Sequence, residues 1–187
     1  MSHGIPMSGR LGEKLQQIRV ALNLSQNEMI DQLGLREIYS RSYISLWENG
    51  KSEPSLNVLL RYAYAAGVSV DALADDAINL PSSKLIHQYH THARKMTHKF
   101  PTSERLSEKL YQIRAALNMS QNEMIDHLGL KGVFDRAYVS FWENGKTEPP
   151  LNGLLGYARA GGLSLNHLAD DAINIALPEQ ICHSPRV

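Results

Sequence analysis

The chain has 187 residues, with 19 Lys+Arg against 19 Asp+Glu and a formal net charge of zero. That balance excludes a uniformly cationic coat, so any nucleic-acid contact has to come from local placement of charge. A single cysteine, Cys182, excludes an internal disulfide framework, and no signal-peptide core or 18-residue apolar run marks export or a membrane span. The expectation is a cytoplasmic protein.

In chain order, Met1–Gly9 is small and polar and reads as a loose arm. Leu11, Leu15, Ile18 and Leu22 follow at 4, 3 and 4 spacing, which predicts a helix from about Arg10 to Leu22. Ser25-Gln-Asn-Glu28 is a capping-box pattern, so a second helix is predicted through Met29, Ile30 and Leu33 to Gly34. A loop, Leu35-Arg-Glu-Ile-Tyr39, leads to a third helix over Ser40-Arg-Ser-Tyr-Ile-Ser-Leu-Trp-Glu-Asn-Gly-Lys51. Ser40 is its predicted cap, and Asn49-Gly50 its stop, since glycine tolerates the left-handed conformation. Ser55 or Asn57 caps a fourth helix to Gly67, and Ser69 caps a short fifth before Pro81.

The whole pattern then recurs. Residues 11–80 lie over 106–175 without gaps at an offset of 95, with 46 identities in 70 positions. Ser120-Gln-Asn-Glu123, Trp142, Gly161 and Pro178 repeat their counterparts, and Asp135 replaces Ser40 as the third-helix cap. A duplicated unit of this size can bury a small core of its own. The expected architecture is therefore all-α, as two tandem five-helix domains at 10–80 and 105–175. Residues 81–104 are expected to be a basic, His-containing linker, and 176–187 a C-terminal tail. Residues 81–105 carry five Lys/Arg against one Glu, and the segment reads either as a solvated linker or as a phosphate-tracking one.

The third helix carries the functional expectation. Ile44 and Trp47 share one face while Arg41, Ser42 and Ser45 point elsewhere, as suits a helix laid in the major groove. Together, Leu24-Ser-Gln-Asn-Glu-Met-Ile, Leu33-Gly, Ser-Tyr-Ile-Ser-x-Trp-Glu-Asn-Gly-Lys, Pro54-Ser-Leu and Ala66-Gly-Val-Ser-Val-Asp-Ala-Leu resemble the phage repressor/Cro-type helix-turn-helix family, twice over. The resemblance covers residues 10–75 and 105–170 but neither the linker nor the tail.

What it implies is a DNA-binding site in each copy. Gln26 and Gln121 stand where the family bonds a phosphate at the start of the second helix. Arg41, Ser42 and Ser45, and Arg136, Ala137 and Ser140, stand at base-reading positions, arginine being the natural bidentate partner of guanine. Leu46 and Phe141 fall where the family often has a polar reader; they suit a thymine methyl or, equally, core or interface packing. Asn49, Lys51, Asn144 and Lys146 stand at backbone-contacting positions, although an asparagine there is also an ordinary left-handed cap. Trp47 and Trp142 are expected in the core, and the resemblance pairs Arg19 with Glu48 and Arg114 with Glu143.

One departure concerns the turn between second and third helices, which has five residues here where the family has about one. Ile38, Tyr39, Val133 and Phe134 are expected to pack beneath it, and Arg36 and Lys131 to meet phosphate or solvent.

The expected function is a sequence-specific double-stranded DNA-binding transcription regulator, a repressor, cytoplasmic and nucleoid-associated. Its two units would act as a covalent pseudo-dimer, because the 24-residue connection spans up to about 80 Å against the roughly 34 Å between half-sites. The alternative is a protein-interaction module with little DNA contact, and a homodimer or protein partner stays open. No catalytic residues, cofactor, metal site or membrane partner is expected. His87, His90, His92 and His98 lack the cysteines usual at such zinc spacings.

Overall fold

The computed structural model describes residues 9–93 and 102–176. The regular secondary structure of the described residues is helical apart from an isolated bridge between Lys131 and Phe134. The first unit holds α1 (Leu11–Ala21), α2 (Gln26–Gln32), α3 (Arg41–Glu48), α4 (Leu56–Ala66), α5 (Val70–Ala74) and α6 (Ser83–Ala93). The second holds α7 (Leu106–Ala116), α8 (Gln121–His127), α9 (Arg136–Glu143), α10 (Leu151–Ala160) and α11 (Leu165–Ala169). Two compact units fit the duplication.

Local sequence sets most boundaries. Ser25 Oγ accepts from the amide of Glu28 at 3.3 Å, and the Glu28 carboxylate accepts from the amide of Ser25 at 2.7 Å; Ser120 and Glu123 repeat this at 3.2 and 2.7 Å. Ser55 rather than Asn57 caps α4. The left-handed turns that end α1 and α7 are taken by Asn23 and Asn118, whose short polar side chains tolerate that conformation.

The start of α1 is capped from far along the chain. Asp76 accepts from the amides of Gly9 and Arg10, and Asp171 accepts from those of Glu104 and Arg105 and from the Thr102 hydroxyl. Desolvation alone would raise the Asp171 pKa, but these hydrogen bonds, with Lys109 nearby, hold the carboxyl below its ordinary value. Lys14, fully buried, crosses back to α5: its Nζ donates to the carbonyls of Ala72 and Asp75 at 2.8 and 2.6 Å. Lys109 makes the same bonds to His167 and Asp170. These ammonium groups satisfy carbonyls that a helix end leaves without partners.

The core of the first unit gathers Leu15, Ile18, Met29, Ile44, Trp47, Leu59, Tyr62 and Leu73; that of the second gathers Leu110, Ile113, Met124, Val139, Trp142, Leu154, Tyr157 and Leu168. Trp47 and Trp142 are core residues, as expected.

The expected linker is not all connection. Residues Ser83–Ala93 form α6, which packs on α1 and α4 and buries Ile86 and His90 one helical turn apart. Tyr89 closes over the left-handed Gly67 that ends α4, so close that a Cβ there would stand 2.3 Å from its ring. The first unit thus extends past Pro81. The expected N-terminal arm up to residue 8, residues 94–101 (His98 among them) and the tail from residue 177 (with Cys182) lie outside the described residues.

Candidate nucleic-acid interface

In each unit the third helix is clamped from behind and open in front. Arg19 on α1 holds Glu48 at the end of α3 through two bonds, Nε to Oε1 at 2.6 Å and Nη2 to Oε2 at 2.9 Å. Arg114 holds Glu143 the same way at 2.5 and 2.8 Å. Both pairs are largely buried, and each arginine also donates to a carbonyl after the first helix, of Leu24 or Met119. A planar bidentate pair of this kind fixes an angle as well as a distance. Beneath it the Tyr62 and Tyr157 phenols are pushed up in pKa by burial, with the charge of Glu48 or Glu143 adding to the effect.

Gln26 and Gln121, expected at phosphate, send their Nε2 to the same carboxylates, at 3.1 Å from Glu48 and 3.2 Å from Glu143. One carboxylate therefore ties together the first, second and third helices of its unit.

On the open side, Arg41, Ser42, Leu46, Asn49 and Lys51 are exposed and Ser45 is half-buried; Arg136, Ala137, Phe141, Asn144, Lys146 and Ser140 repeat the arrangement. Arg41, Ser42, Ser45 and Leu46 share one side of α3, and Arg136, Ala137, Ser140 and Phe141 one side of α9, while Lys51 and Lys146 follow beyond the helix ends. Leu46 and Phe141 do not pack in the core.

Several local details correct the sequence reading. Ser40 makes no side-chain cap bond to α3; its hydroxyl lies 2.6 Å from that of Ser42. Asp135 does cap α9, accepting from the Ala137 amide at 2.8 Å, and so places a negative charge beside Arg136. Asn49 and Asn144 are not left-handed caps: Gly50 and Gly145 take that conformation, while each asparagine amide donates back to the Ser45 or Ser140 carbonyl at 2.7 Å.

The longer turn is built differently from expectation. Ile38 and Val133 are exposed, while the first residue of each turn, Leu35 or Leu130, is the buried one. Tyr39 meets Tyr43 edge-on at 4.9 Å and Trp47 at 5.3 Å; Phe134 meets Tyr138 at 4.7 Å and Trp142 at 5.4 Å. Arg36 pairs with Asp31, and Lys131 with Asp126 at 3.0 Å, so both turn cations sit beside a carboxylate.

Tyr43 and Tyr138, exposed beside these residues, are the candidates that sequence reasoning missed. Their signal was the four-residue spacing of Tyr39, Tyr43 and Trp47 and of Phe134, Tyr138 and Trp142, which places three rings along one edge of each helix.

A short second helix, a turn, and a third helix held from behind by a buried ion pair with arginine and serine or alanine side chains exposed in front form a helix-turn-helix unit. The family model described as Helix-turn-helix matches residues 15–73 and again 110–168, and the chain belongs to this family, as two tandem Cro/C1-type copies. It is a family of DNA-binding transcription regulators. The HTH-type transcriptional activator BcrR of Enterococcus faecalis is 39% identical over 61 residues, which is 33% of this chain and 28% of that protein. The chain therefore matches under a third of its relative's length. No solved structure matches. None of the helices among the described residues is long and apolar enough to cross a membrane.

Proposed function

We propose that the chain is a sequence-specific double-stranded DNA-binding transcription regulator whose two units act as a covalent pseudo-dimer on two related half-sites. The observation that carries this reading is the repetition, within one chain, of an exposed Arg–Ser/Ala–Ser face held by the same buried arginine–glutamate pair. In this reading Arg41 and Arg136 read guanine, and Ser42, Ser45, Ala137 and Ser140 line the groove. Lys51 and Lys146 meet the phosphate backbone. Gln26, Gln121, Asn49 and Asn144 face the backbone with whatever donor capacity their internal bonds leave. The domains are residues 10–80 and 105–175, with α6 packed on the first.

Linkage supplies what dimerisation supplies to single modules, a second contact at high effective concentration. The half-sites differ, because Asp135 and Ala137 replace Ser40 and Ser42 and the Asp135 carboxylate opposes phosphate near α9.

Repression is proposed because occupancy of a promoter is enough for it. The relative in E. faecalis is named as an activator, so the sign is tested separately. Selection of random duplexes by the full chain at near-physiological salt should enrich two related half-sites about one helical turn apart. A reporter carrying the selected site within its promoter should then fall in output when the chain is expressed. Enrichment of no motif by the folded chain would remove the DNA reading. A protein partner at the exposed Leu46 and Phe141 surface would then be the reading to test.

A further inference from the structure

Both third helices expose large apolar groups where a groove-reading face is expected to be polar. Tyr43 is 42% and Leu46 36% exposed; Tyr138 is 41% and Phe141 38% exposed. At about 100° per residue, Leu46 lies only about 40° around the axis from Ser42 and about 60° from Tyr43, well away from buried Ile44 and Trp47. It therefore stands at the edge of the Arg41–Ser45–Ser42 face, between Ser42 and Tyr43.

The strip is ordered. Tyr43 is held against Tyr39 and Trp47, and Tyr138 against Phe134 and Trp142, with the Phe141 ring 6.2 Å from Tyr138. Lys146 Nζ lies 5.4 Å over the Phe141 ring. Two partly exposed side chains per helix, bordered by Ser42 in the first unit and by Lys146 in the second, make a smaller patch than the several hundred Å² usual for a protein-binding surface. The apolar feature that matches it in a major groove is the methyl group at C5 of thymine.

We infer that Tyr43 with Leu46, and Tyr138 with Phe141, form methyl-reading strips that sense the C5 substituent of pyrimidines in each half-site. The inference rests on the DNA-binding reading and extends it to the chemistry of the base edge. The second unit reads methyl groups more strongly: it has the larger ring at 141 and has lost the Ser42 hydroxyl to Ala137.

The test uses the full chain and the duplex it selects. Each thymine is replaced singly by deoxyuridine, and then each affected T·A pair by C·G or 5-methylcytosine·G. Removing a read methyl should weaken binding about fourfold, the worth of one buried methylene-sized group. At the same pair, 5-methylcytosine should bind about fourfold tighter than cytosine. The Leu46→Ala chain should lose this discrimination in one half-site and Phe141→Ala in the other, with only a modest fall in melting temperature, because each side chain is partly buried, and with both chains folded at the binding temperature. Sequence-selective binding that ignores the methyl groups would overturn the inference and leave the DNA reading intact. So would a methyl preference that survives both substitutions. Absence of any duplex binding would overturn both.

Discussion

Arg61 on α4 donates from Nη1 to the carbonyl oxygens of Leu33 and Gly34, at 2.8 and 3.2 Å, closing the end of α2 where the turn to α3 begins. The second copy has Gly156 there, and the Leu128 side chain occupies the space, with a methyl 2.7 Å from where a Cβ would stand. One repeat thus ties its second helix to the fourth through a guanidinium, and the other through a leucine.

The Arg61→Ala chain should therefore lose about 1–3 kcal/mol of stability in the first unit alone, from charged hydrogen bonds to carbonyls of which one is half-sheltered. Urea unfolding followed by hydrogen exchange should show faster opening across α2 and the 35–39 turn, with α8 unchanged. Equal loss in both units would show that the guanidinium contributes nothing specific at α2.

The helix α6 gives a second comparison. Gly67 has φ +65°, and any Cβ there would strike the Tyr89 ring, whereas Gly50 has φ +63° and nothing within 4 Å of such an atom. Gly50→Ala should lose only the left-handed backbone cost, about 1–2 kcal/mol. Gly67→Ala should lose that and the docking of α6 as well, and in a Tyr89→Ala background its cost should fall to the Gly50 value. Additive effects of Gly67→Ala and Tyr89→Ala in a double-mutant cycle would show that the ring does not brace α4.

These two regions show what could be read from the residues alone. The repeat, the capping boxes, Trp47 and the Arg19–Glu48 pair were legible because each rests on short-range spacing or on a family motif. Packing of α6 was not: Pro81-Ser-Ser, four histidines and excess positive charge look like a connection. Among its described side chains Ile86 and His90 are the buried ones, against a surface built 60 or more residues earlier on α1. The Asp76 and Lys14 contacts are equally distant in the chain, 66 and 58 residues. Leu46 was left between core and groove because an eight-residue helix carries too few turns to define its apolar edge.

The depressed Asp171 carboxyl makes a pH prediction. Its folded pKa lies below its unfolded value near 3.9, so the folded state gains from ionisation. That stability is fully present above the unfolded value and is lost as pH falls through the folded one. Asp171→Ala should destabilise the second unit by about 0.5–2 kcal/mol at neutral pH, as for a lost helix cap. The gap to the parent chain should begin to close below about pH 4. Denaturant titrations from pH 2 to 7 measure it, and a gap that widens toward acid would reverse the assignment.

The last prediction separates reading from holding on the DNA face. Arg41 is exposed at the first turn of α3, close to Ser42, whereas Lys51 follows the left-handed Gly50 beyond the helix end. In the proposed reading the Arg41 guanidinium meets a base edge, so Arg41→Ala should cost about 1–3 kcal/mol at one base position and relax specificity at that position. Lys51→Ala should weaken binding to all sequences alike and reduce the slope of log affinity against log salt by about one. Arg136→Ala should cost less than Arg41→Ala, because Asp135 beside it already offsets part of its charge. Binding across a panel of single-base variants at several salt concentrations resolves all three. A sequence-independent loss for Arg41→Ala would move that side chain from the bases to the backbone. The fold, held by the Arg19–Glu48 pair behind the helix, should be untouched in all three variants.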